Sequence, residues 1–556
     1  ELLRHVAPKH LSVEIFYGGD RTTSIQQLSG YDVIITTYGV VSSEFIKGTS
    51  VLHDIHWHRI ILDEAHTIKG KANQVSKACF ALSAERRWCV TGTPIQNSLV
   101  DMFSLLHFLR LDPWSDWAWF SALIAKPYKD GLQQEALSLL RTVVQPLLLR
   151  RTKVMKEKDG SPLVVLPPRR VDAVFVSLSE AELGFYRTLY RQSKKRVARY
   201  FDNATAQKKT SYSTILELLL RLRQACDHPY LCGKSNSKAM PNLDKLFAKF
   251  QRHASVKDGE KSSVNWDDEE GDGEEDEGDI KEMMDEAEEC PVCHDPLDDP
   301  KRTVCHHVAC NDCLALLCEK EDPKCPVCDR KLVLAVAGSQ EKKLSARGTF
   351  ASLADKWISS SKVDALMVEL EKLRSGFREA EERDKENMDK DRSTPLHNPK
   401  SIVFSQWTGM LDIVEIPLKK HAFKYVRLDG SSSQAEREKV LREFANSPDV
   451  RVFLISLRAG GLGLNLTAAN HVFLLDPWWN PAVDDQAIDR VHRLGQKHEV
   501  LVKKLIIKDS LEGKILLMQE KKSTMARGVL GGGGGKGGTG SANSLTADDI
   551  KFIFDL

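Results

Sequence analysis

Short apolar runs, each ending in polar residues or glycine, recur in two separate blocks of the chain. The first block has the runs Asp32–Tyr38, Arg59–Glu64 and Arg87–Thr93, and the second has Ser401–Gln406, Tyr425–Gly430, Arg451–Gly460 and His471–Pro477. Runs of this kind suit strands that are buried on both faces of a parallel sheet, with functional groups at their carboxyl ends. The pattern therefore predicts two α/β lobes.

The stretch between these blocks has a different character. From about Leu106 to Cys232 it is leucine-rich and charged, and Ile215–Cys226 has helical spacing, so this region is predicted to be helical. Trp266–Glu289 is mostly aspartate, glutamate and glycine, and Phe377–Lys400 is also highly charged. Both have too few apolar residues to form a core and are expected to be linkers; cation or histone binding by the acidic stretch is the alternative.

The segment Gly531–Gly540 superficially resembles a phosphate-binding loop. It does not match the required spacing, because Leu530 occupies the first glycine position and Gly537 follows Lys536. It is therefore predicted to be a flexible linker.

Composition sets the wider frame. A chain of 556 residues exceeds what one core normally supports, so three or more folded units are expected. Lysine plus arginine (79) nearly balances aspartate plus glutamate (78), so any nucleic-acid contact must come from local patches. No apolar stretch is long enough to span a bilayer.

Seven of the 12 cysteines and one histidine lie close together in the order Cys290, Cys293, Cys305, His307, Cys310, Cys313, Cys325 and Cys328. Thiolate and imidazole are preferred zinc ligands, and eight of them predict two structural zinc sites. Disulfides are the alternative, but the other cysteines are scattered and no secretory signal precedes them, which favours a reducing compartment. His306 is interpreted as a surface neighbour and Cys318 as a spare thiol.

Candidate catalytic groups follow two strands of the first block. Asp63 and Glu64 end a buried run and precede His66, and Thr91–Asn97 follows the next run. One carboxylate can hold magnesium while its neighbour orients or deprotonates an attacking water. In the second block, the segment Gln486–Gln496 carries Arg490 and Arg493 one helical turn apart, a spacing that can clamp a transferring phosphoryl group. A salt-bridged surface helix is the alternative.

Together these motifs strongly resemble the Swi/Snf-related branch of superfamily-two helicase-like ATPases, a group of DNA translocases. The resemblance includes the motifs above and Leu149–Lys153, Leu220–Leu231, Ser405–Trp407, Arg427–Gly430, Ser456–Ala469 and Asp476–Pro481. The cysteine-rich segment resembles a RING finger, and a RING inserted between the lobes is similar to the helicase-like transcription factor and postreplication-repair ligase group. The tail Leu545–Phe554 also resembles the ending of that group.

The resemblance implies roles for individual residues. Asp63 would coordinate magnesium, Glu64 would be the catalytic base, and Arg490 and Arg493 would reach ATP across the cleft between the lobes, with His66 and Gln486 completing the catalytic set. DNA contacts would come from loop residues at strand ends, namely Thr36, Thr37, Ser405, Gln406, Trp407, Arg458, Gly460 and Asn465. Such loops suit phosphate contact and tracking along duplex DNA without base reading. Trp478 and Trp479 could stack on a ligand or pack in the core.

The RING resemblance implies further partners. Cys290, Cys293, Cys310 and Cys313 would hold one zinc ion, and Cys305, His307, Cys325 and Cys328 the other. Val292, Pro326 and Arg330 would dock a ubiquitin-conjugating enzyme, which implies ubiquitin ligase activity in the nucleus. Relatives often place the cation immediately after the last cysteine, where Asp329 stands, so ubiquitin transfer is less firmly implied than docking.

The expected architecture is α/β, with two RecA-like parallel-sheet lobes, helical insertions and a small two-zinc RING finger between them. The expected units are 1–110, the C-terminal part of a first lobe truncated at its N-terminus; 111–233, a helical protrusion; 234–288, an acidic linker; 289–330, the RING finger; 331–399, a linker and lead-in helix; 400–528, the second lobe; 529–542, a glycine-rich linker; and 543–556, a tail.

One departure from the family pattern affects the expected activity. No glycine-rich phosphate loop with its lysine occurs between Glu1 and Asp63, so the β- and γ-phosphates of ATP lack their cradle. We expect a fragment of a longer enzyme that is inactive as an ATPase alone, or else a degenerate paralogue. Three functions compete: a DNA-stimulated motor that acts on chromatin or in DNA damage tolerance, a ubiquitin ligase, and an inactive DNA-binding scaffold that recruits a conjugating enzyme.

Overall fold

The computed structural model describes most of the two predicted lobes and the helices between them. The described residues are 6–7, 9–18, 21–22, 24–48, 50–70, 73–92, 99–149, 151–153, 155–202, 212–232, 243–254, 266, 300–302, 308–310, 325, 330, 357–386, 398–430, 434–460, 464–529 and 547–556. The expectation that residues 234–288 form an acidic linker was wrong for Leu243–Ala254, which is a helix that packs into an apolar core through Leu243, Leu246 and Phe250. Most of the remaining acidic linker, of the glycine-rich linker and of the RING finger lies outside the described residues.

The second lobe is built on a parallel sheet of six strands. In chain order these are β5 (Arg169–Val176), β8 (Ser401–Ser405), β9 (Tyr425–Leu428), β10 (Val452–Ser456), β11 (His471–Leu474) and β12 (Val500–Ile507), and their spatial order is β5-β12-β11-β8-β10-β9. All five pairings are parallel. The apolar runs of the second block therefore form the predicted parallel sheet.

Side chains of the central strands alternate between two apolar cores. Along β8, Ile402 and Phe404 face one core while Val403 faces the other. Phe453 and Leu454 of β10 divide in the same way. Because successive side chains of a strand point to opposite faces, continuous apolar runs are required where both faces are covered.

Strand β5 was not expected, because residues 111–233 were predicted to be a helical protrusion. Arg169–Val176 instead pairs along its whole length with Val500–Ile507 at the edge of the second-lobe sheet. The chain thus enters the second lobe before the RING segment and returns to it afterwards.

The first lobe contains two separate parallel strand pairs. β1 (Val13–Ile15) pairs with β2 (Val33–Ile35), and β3 (His56–Asp63) pairs with β4 (Ser83–Val90). The prediction that these strands are buried on both faces is wrong, since Ile61 is 56% exposed and Trp88 is 54% exposed. Among the described residues the apolar core of this lobe lies against the opposite face.

Helices connect and cover these strands. They are Ile25–Leu28, Tyr38–Lys47, Val51–Asp54, Gln74–Ala81, Leu99–Leu109, Trp117–Phe120, Lys126–Lys129, Gln133–Val144, Glu180–Asp202, Tyr212–Asp227, Leu243–Ala254, Ser361–Glu386, Thr408–Lys420, Gln434–Asn446, Leu457–Gly460, Pro481–Asp489, Leu511–Val529 and Ala547–Phe554, with 3₁₀ turns at Ala65–Ile68 and Pro229–Leu231 and a π-helical turn at Ser121–Ala125. None of the described helices is long and apolar enough to cross a membrane.

The Ser361–Glu386 helix extends into the region Phe377–Lys400 that was expected to be a linker. Residues 377–386 are helical because they continue a helix that is already anchored in the core by Val363, Leu366 and Leu370. Their glutamates, lysines and arginines are also good helix formers. The linker expectation was wrong for these residues.

The chain on either side of the RING segment meets at one place in the core. His228 Nε2 lies 3.1 Å from the carbonyl oxygen of Ile358, and Ser360 Oγ donates to the carbonyl oxygen of Asp227 at 2.9 Å. The rings of Tyr230 and Trp357 are 6.4 Å apart. These contacts join the Tyr212–Asp227 helix end to the start of the Ser361–Glu386 helix.

A fully buried ion cluster reinforces this junction. Lys362 Nζ donates to Asp227 Oδ1 at 2.8 Å and to Glu512 Oε1 at 2.6 Å, and at most 1% of each of these side chains is exposed. Burial raises the pKa of Asp227 and that of Glu512, the latter to about 7. Burial alone would lower the pKa of Lys362, but Asp227 and Glu512 raise it above its usual value.

Candidate active site at the lobe interface

Asp63 and Glu64 lie where strand β3 ends. Asp63 Oδ1 accepts a hydrogen bond from the backbone N–H of Glu64 at 3.0 Å, and the Tyr38 hydroxyl donates to the carbonyl oxygen of Asp63 at 2.7 Å. Glu64 has φ +47°, a left-handed conformation that costs energy for a residue other than glycine. This backbone turn directs the two carboxylates away from the strand.

His66 connects the ends of two neighbouring strands. Its Nδ1 atom lies 3.1 Å from Thr91 Oγ1, just beyond β4, and 3.5 Å from Glu64 Oε2. Burial lowers the pKa of His66, and the nearby Glu64 carboxylate opposes that shift. The predicted juxtaposition of His66 with Thr91 is therefore present; Thr93–Asn97 lies outside the described residues.

Glu64 also receives two side chains from the second lobe. Gln486 Nε2 donates to Glu64 Oε1 at 3.1 Å, and Arg490 Nη2 donates to the same oxygen at 3.2 Å. Residues more than 400 positions apart in the chain thus meet at one carboxylate. The lobes face each other through residues that the sequence had assigned to one catalytic site.

The second-lobe residues are presented by the Pro481–Asp489 helix. Asn480 caps it by accepting from the N–H of Ala482 at 3.0 Å, and Pro481 occupies its first position, where no N–H is needed. The helix ends at Asp489, so Arg490 and Arg493 follow it in turns. The expectation of two arginines on one regular helical face was wrong, and Arg490 donates a hydrogen bond to Glu64 from the turn after the helix.

Lys153 supports the turn that carries these arginines. Its Nζ donates to Asp489 Oδ1 at 2.7 Å and to the carbonyl oxygen of His492 at 2.6 Å. Cations near the end of a helix satisfy carbonyl groups that lack intrahelical partners. The sequence placed Lys153 in a recognised motif without predicting this contact.

The donor chemistry fits the cofactors implied by the family pattern. Asp63 is exposed at the strand end, and carboxylate oxygens are ligands that magnesium prefers. Arg490 lies across the cleft, where a guanidinium can meet phosphate oxygens. Asp63 would hold the ion and Arg490 would contact the nucleotide phosphates.

Two of the predicted DNA-contacting residues lie in the first lobe. Thr36 donates its hydroxyl to the carbonyl oxygen of Phe16 at 2.9 Å, and Thr37 caps the Tyr38–Lys47 helix by accepting from the N–H of Val40 at 3.3 Å. Both side chains therefore have structural roles at the end of β2. Each hydroxyl has further hydrogen-bonding capacity.

The predicted contact residues of the second lobe differ in accessibility. Ser405 is fully buried, and its hydroxyl donates to Asp476 Oδ2 at 2.6 Å, so direct phosphate contact by its side chain is not supported. Gln406 and Trp407 are partly exposed beside it. Asn465 is exposed and accepts from the N–H of Thr467 at 3.3 Å. The side chain of Arg458 lies outside the described part, and Gly460 ends a short helix.

Part of the predicted RING finger is described. Pro300–Arg302 and Val308–Cys310 form an antiparallel pair, and the N–H of Cys325 donates to the carbonyl oxygen of Arg330 at 2.7 Å. Cys325 is buried and Arg330 is exposed. The other predicted positions lie outside the described residues, namely Cys290, Val292, Cys293, Cys305, His307, Cys313, Pro326 and Cys328. The donor set of seven thiolates and one imidazole fits zinc.

Three family models match successive parts of the chain. Residues 1–231 match the SNF2-related domain, residues 290–328 match the zinc finger of C3HC4 type (RING finger), and residues 391–495 match the helicase conserved C-terminal domain. The order agrees with a RING segment inserted between two halves of one ATPase. The RING match also implies zinc, as the cysteine pattern predicts.

Curated relatives resemble the chain over nearly its whole length. It is 41% identical to the DNA repair protein RAD5A of Arabidopsis thaliana, over 95% of this chain and 49% of the relative. It is 38% identical to the helicase-like transcription factor of Homo sapiens, over 94% of this chain and 48% of the relative. The chain thus spans about half the length of these relatives.

Two solved structures were also matched. One is the C-terminal part of the Fun30 ATPase domain, at 22% identity and a TM-score of 0.36, covering 64% of this chain and 90% of that one. The other is the Sulfolobus solfataricus SWI2/SNF2 ATPase core in complex with dsDNA, at 21% identity and a TM-score of 0.35, covering 99% of this chain and 82% of that one. The motifs, the three matched families and the relatives agree: the chain carries an SNF2-related domain and a helicase conserved C-terminal domain with a RING finger between them, and it is a homologue of the RAD5 and helicase-like transcription factor proteins.

Proposed function

We propose that this chain is the motor and ligase region of an ATP-dependent translocase on double-stranded DNA. The observation that carries the proposal is the meeting of Gln486 and Arg490 from one lobe with Glu64 from the other. A nucleotide between these groups would join the lobes, and its hydrolysis would release them. Repeated closing and opening of the lobes would move the protein along DNA.

The proposed chemistry assigns one task to each group. Asp63 holds magnesium, Glu64 takes a proton from the attacking water, and Arg490 stabilises charge that develops on the transferred phosphoryl group. His66 ties the strand end carrying Glu64 to Thr91, and Gln486 orients the Glu64 carboxylate. Arg493 is a second candidate for phosphate contact. When held by Asp63, magnesium would supply charge neutralisation at the phosphate oxygens.

The proposed DNA contacts lie on loops at the ends of strands. Thr36, Thr37, Gln406, Trp407 and Asn465, together with Arg458 and Gly460, would contact the duplex backbone. The match of residues 1–231 to the SNF2-related domain and the similarity to a DNA repair protein support duplex DNA or chromatin as the substrate class here. Backbone contact gives tracking that does not depend on base sequence.

The proposed RING function is recruitment of a ubiquitin-conjugating enzyme and ubiquitin transfer in the nucleus. Val292 and Pro326 would supply the apolar contact, and Arg330 the nearby cation. The relatives are named as DNA repair and transcription proteins, which supports a role in DNA damage tolerance or chromatin regulation.

The missing phosphate loop defines the first experiment. We expect the 556-residue chain alone to hydrolyse ATP slowly, and a fusion that supplies the phosphate-loop segment of a relative ahead of Glu1 to be stimulated by duplex DNA. In the fusion, Glu64→Gln should reduce the stimulated rate at least about 100-fold because the base is lost. Glu85→Gln is the matched control, since Glu85 is exposed on the same lobe and pairs with His58.

Steady-state ATP hydrolysis with and without duplex DNA gives the comparison. Native rates in the Glu64→Gln fusion would contradict the assignment of the base. Equal stimulated rates with and without the added loop would contradict its expected importance.

The alternative function is an inactive DNA-binding scaffold that recruits a conjugating enzyme. The match of residues 290–328 to the RING finger supports recruitment of a conjugating enzyme, which needs no ATP hydrolysis. DNA binding and ubiquitin-chain synthesis without ATP hydrolysis, even in the fusion, would select this function.

A further inference from the structure

Arg223 is a buried cation enclosed by three indole rings. It lies on the Tyr212–Asp227 helix, is 5% exposed, and donates from Nη2 to the carbonyl oxygen of Pro477 at 2.6 Å. Its guanidinium carbon lies 5.7, 5.9 and 5.2 Å from the ring centroids of Trp407, Trp478 and Trp479. Each ring at this distance can attract the cation, and desolvation strengthens that attraction.

The three tryptophans come from two loops of the second lobe. Trp407 follows strand β8, and Trp478 and Trp479 follow the adjacent strand β11. Each ring packs against a different apolar cluster of the molecule. The guanidinium therefore occupies the point where three cores meet.

Asp476 links the same two loops from the other side. Its carboxylate accepts from Ser405 Oγ at 2.6 Å and from the N–H of Gln406 at 3.0 Å. Because Arg223 bonds the carbonyl oxygen of the next residue, Pro477, the loop after β11 is held by Arg223 on one side and by its hydrogen bonds to Ser405 and Gln406 on the other.

The second of these loops leads directly into the helix of the candidate active site. Asp484 on that helix accepts from the N–H of Trp478 at 3.4 Å and from Lys504 Nζ at 2.9 Å. Two residues later the helix presents Gln486, and Arg490 follows its end. A hydrogen bond thus links Gln406 to Asp476, and the next residue, Pro477, bonds Arg223. Trp478, which packs on Arg223, is then linked through Asp484 to the helix whose residues meet Glu64.

A buried cation is a costly way to fill this space. Burial lowers the pKa of Arg223, and the carboxylates of Asp476 and Asp227 oppose that shift. An apolar side chain of similar volume could pack against three rings without any desolvation penalty. The directional bond to Pro477 and the fixed planar shape of the guanidinium instead specify the positions of the loops.

We propose that Arg223 is a positioning residue that locks the Gln406–Trp407 loop and the helix bearing Gln486 into one unit, so that DNA contact at the loop is transmitted to Glu64. The transmission part of this proposal rests on the proposed function. The locking part does not, because it concerns the second lobe without DNA or nucleotide.

The locking is tested in the 556-residue chain by amide hydrogen exchange. Arg223→Met should accelerate exchange at Gln406 and at Trp478 together, by about tenfold, because both amides lose their fixed acceptors. Arg223→Lys should lie between the native chain and Arg223→Met, because it keeps the charge without the planar fork. The control is Arg221→Met on the same helix, where the guanidinium bonds Gln224 and pairs with Glu217.

The transmission is tested in the fusion that carries a phosphate loop. Arg223→Met should lower the DNA-stimulated kcat by about tenfold or more, because DNA contact at the Gln406–Trp407 loop would no longer be transmitted to the helix that carries Gln486. The basal rate and the KM for ATP should change less than about twofold, which a general loss of folding would not produce. Arg223→Lys should recover part of the stimulation, and Arg221→Met should resemble the native fusion.

The outcomes separate the two ideas. If the native fusion is not stimulated by DNA, the proposed function fails, and the exchange experiment still decides the locking. If the native fusion is stimulated and both Arg223 variants are stimulated equally, the transmission is refuted while the function stands. If hydrogen exchange at the Gln406 and Trp478 amides is unchanged in both Arg223→Lys and Arg223→Met, the locking is refuted. If Arg223→Met does not fold, the result for Arg223→Lys alone decides.

Discussion

The buried surroundings of Asp476 strongly change the pKa of its side chain. The side chain is 1% exposed, and burial, helped by the nearby Asp227, raises its pKa to about 8 from a usual 3.8. Folding therefore favours the protonated carboxyl. An acid with a raised pKa in the folded state stabilises the fold most at low pH and loses that contribution as pH rises.

The raised pKa of Asp476 predicts that the stability of the folded protein depends on pH. Between pH 4 and 8 the free energy of unfolding of the native chain should contain a term that decreases as pH rises, by up to about 1.4 kcal/mol per pH unit. Asp476→Asn should lack this term because its side chain does not ionise. Urea unfolding at pH 5 and pH 8 measures the difference.

Asp449→Asn is the control for this prediction. Asp449 is exposed in the same lobe, and its hydrogen bond from Lys424 lowers its pKa, so it is ionised throughout this range. Its substitution should leave the pH dependence unchanged. An identical pH dependence for Asp476→Asn and the native chain would show that Asp476 is ionised in the folded state.

At the residue scale, the sequence was informative about groups at strand ends. Asp63, Glu64 and His66 were found because short polar motifs follow apolar runs, and the ends of parallel strands lie on one edge of a sheet. Arg223 was missed in its role because an arginine in a helical segment resembles a surface residue. Only the fold reveals that its neighbours are tryptophans 184 or more residues further along the chain.

At the scale of elements, a strand could be predicted from the sequence where its residues are continuously apolar because both of its faces are buried. Strands β8 and β10 are buried on both faces and have continuous apolar sequences. Strand β5 has the sequence RRVDAVFV at a sheet edge, where one face is more exposed, and its pairing partner lies more than 300 residues away. Local sequence patterns cannot report such a partner, so this strand was missed.

The buried ion cluster links three helices, and we predict that replacing its lysine lowers the free energy of unfolding strongly. Lys362→Met should lower the free energy of unfolding by about 3–5 kcal/mol, because Asp227 and Glu512 would lose their cation. The control is Lys372→Met on the same helix, where the side chain is 66% exposed and the expected effect is within about 0.5 kcal/mol. Urea unfolding compares the two.

A compensating variant sharpens this test. Adding Asp227→Asn and Glu512→Gln to Lys362→Met should recover part of the stability, because fewer unpaired charges are then buried. Equal, small losses for Lys362→Met and Lys372→Met would mean that the cluster contributes little to the junction.

At the scale of the whole molecule, an SNF2-related domain and a RING finger share one chain. We predict that the chain binds two zinc ions, and that Cys293→Ser and Cys305→Ser each cause the loss of both ions. The two predicted sites interleave, since Cys305 and His307 of one site lie between the two cysteine pairs of the other, and such small domains depend on metal to fold. Cys318→Ser is the control and should retain two ions.

Metal analysis of the purified chains gives the stoichiometry. One ion in the native chain, or loss of only one ion in each variant, would contradict the interleaved arrangement.

The two activities should also be separable by substitution. In the fusion with a phosphate loop, Glu64→Gln should abolish ATP hydrolysis and spare ubiquitin-chain synthesis. Val292→Ala should do the reverse, because a few apolar side chains carry most of the affinity in a small docking surface. Assaying both activities for both variants makes each the control of the other. Loss of ubiquitin transfer in folded Glu64→Gln would indicate mechanical coupling.

The convergence of His228, Tyr230, Ile358 and Trp357 also has a consequence for how such a chain could have arisen. A segment that leaves and re-enters a core at one place is, in polymer terms, a closed ring attached at a point. Doubling the length of such a ring costs only about 0.6 kcal/mol. The protein can therefore gain, exchange or lose a whole module here without repacking its core, which makes this junction a natural site of evolutionary grafting.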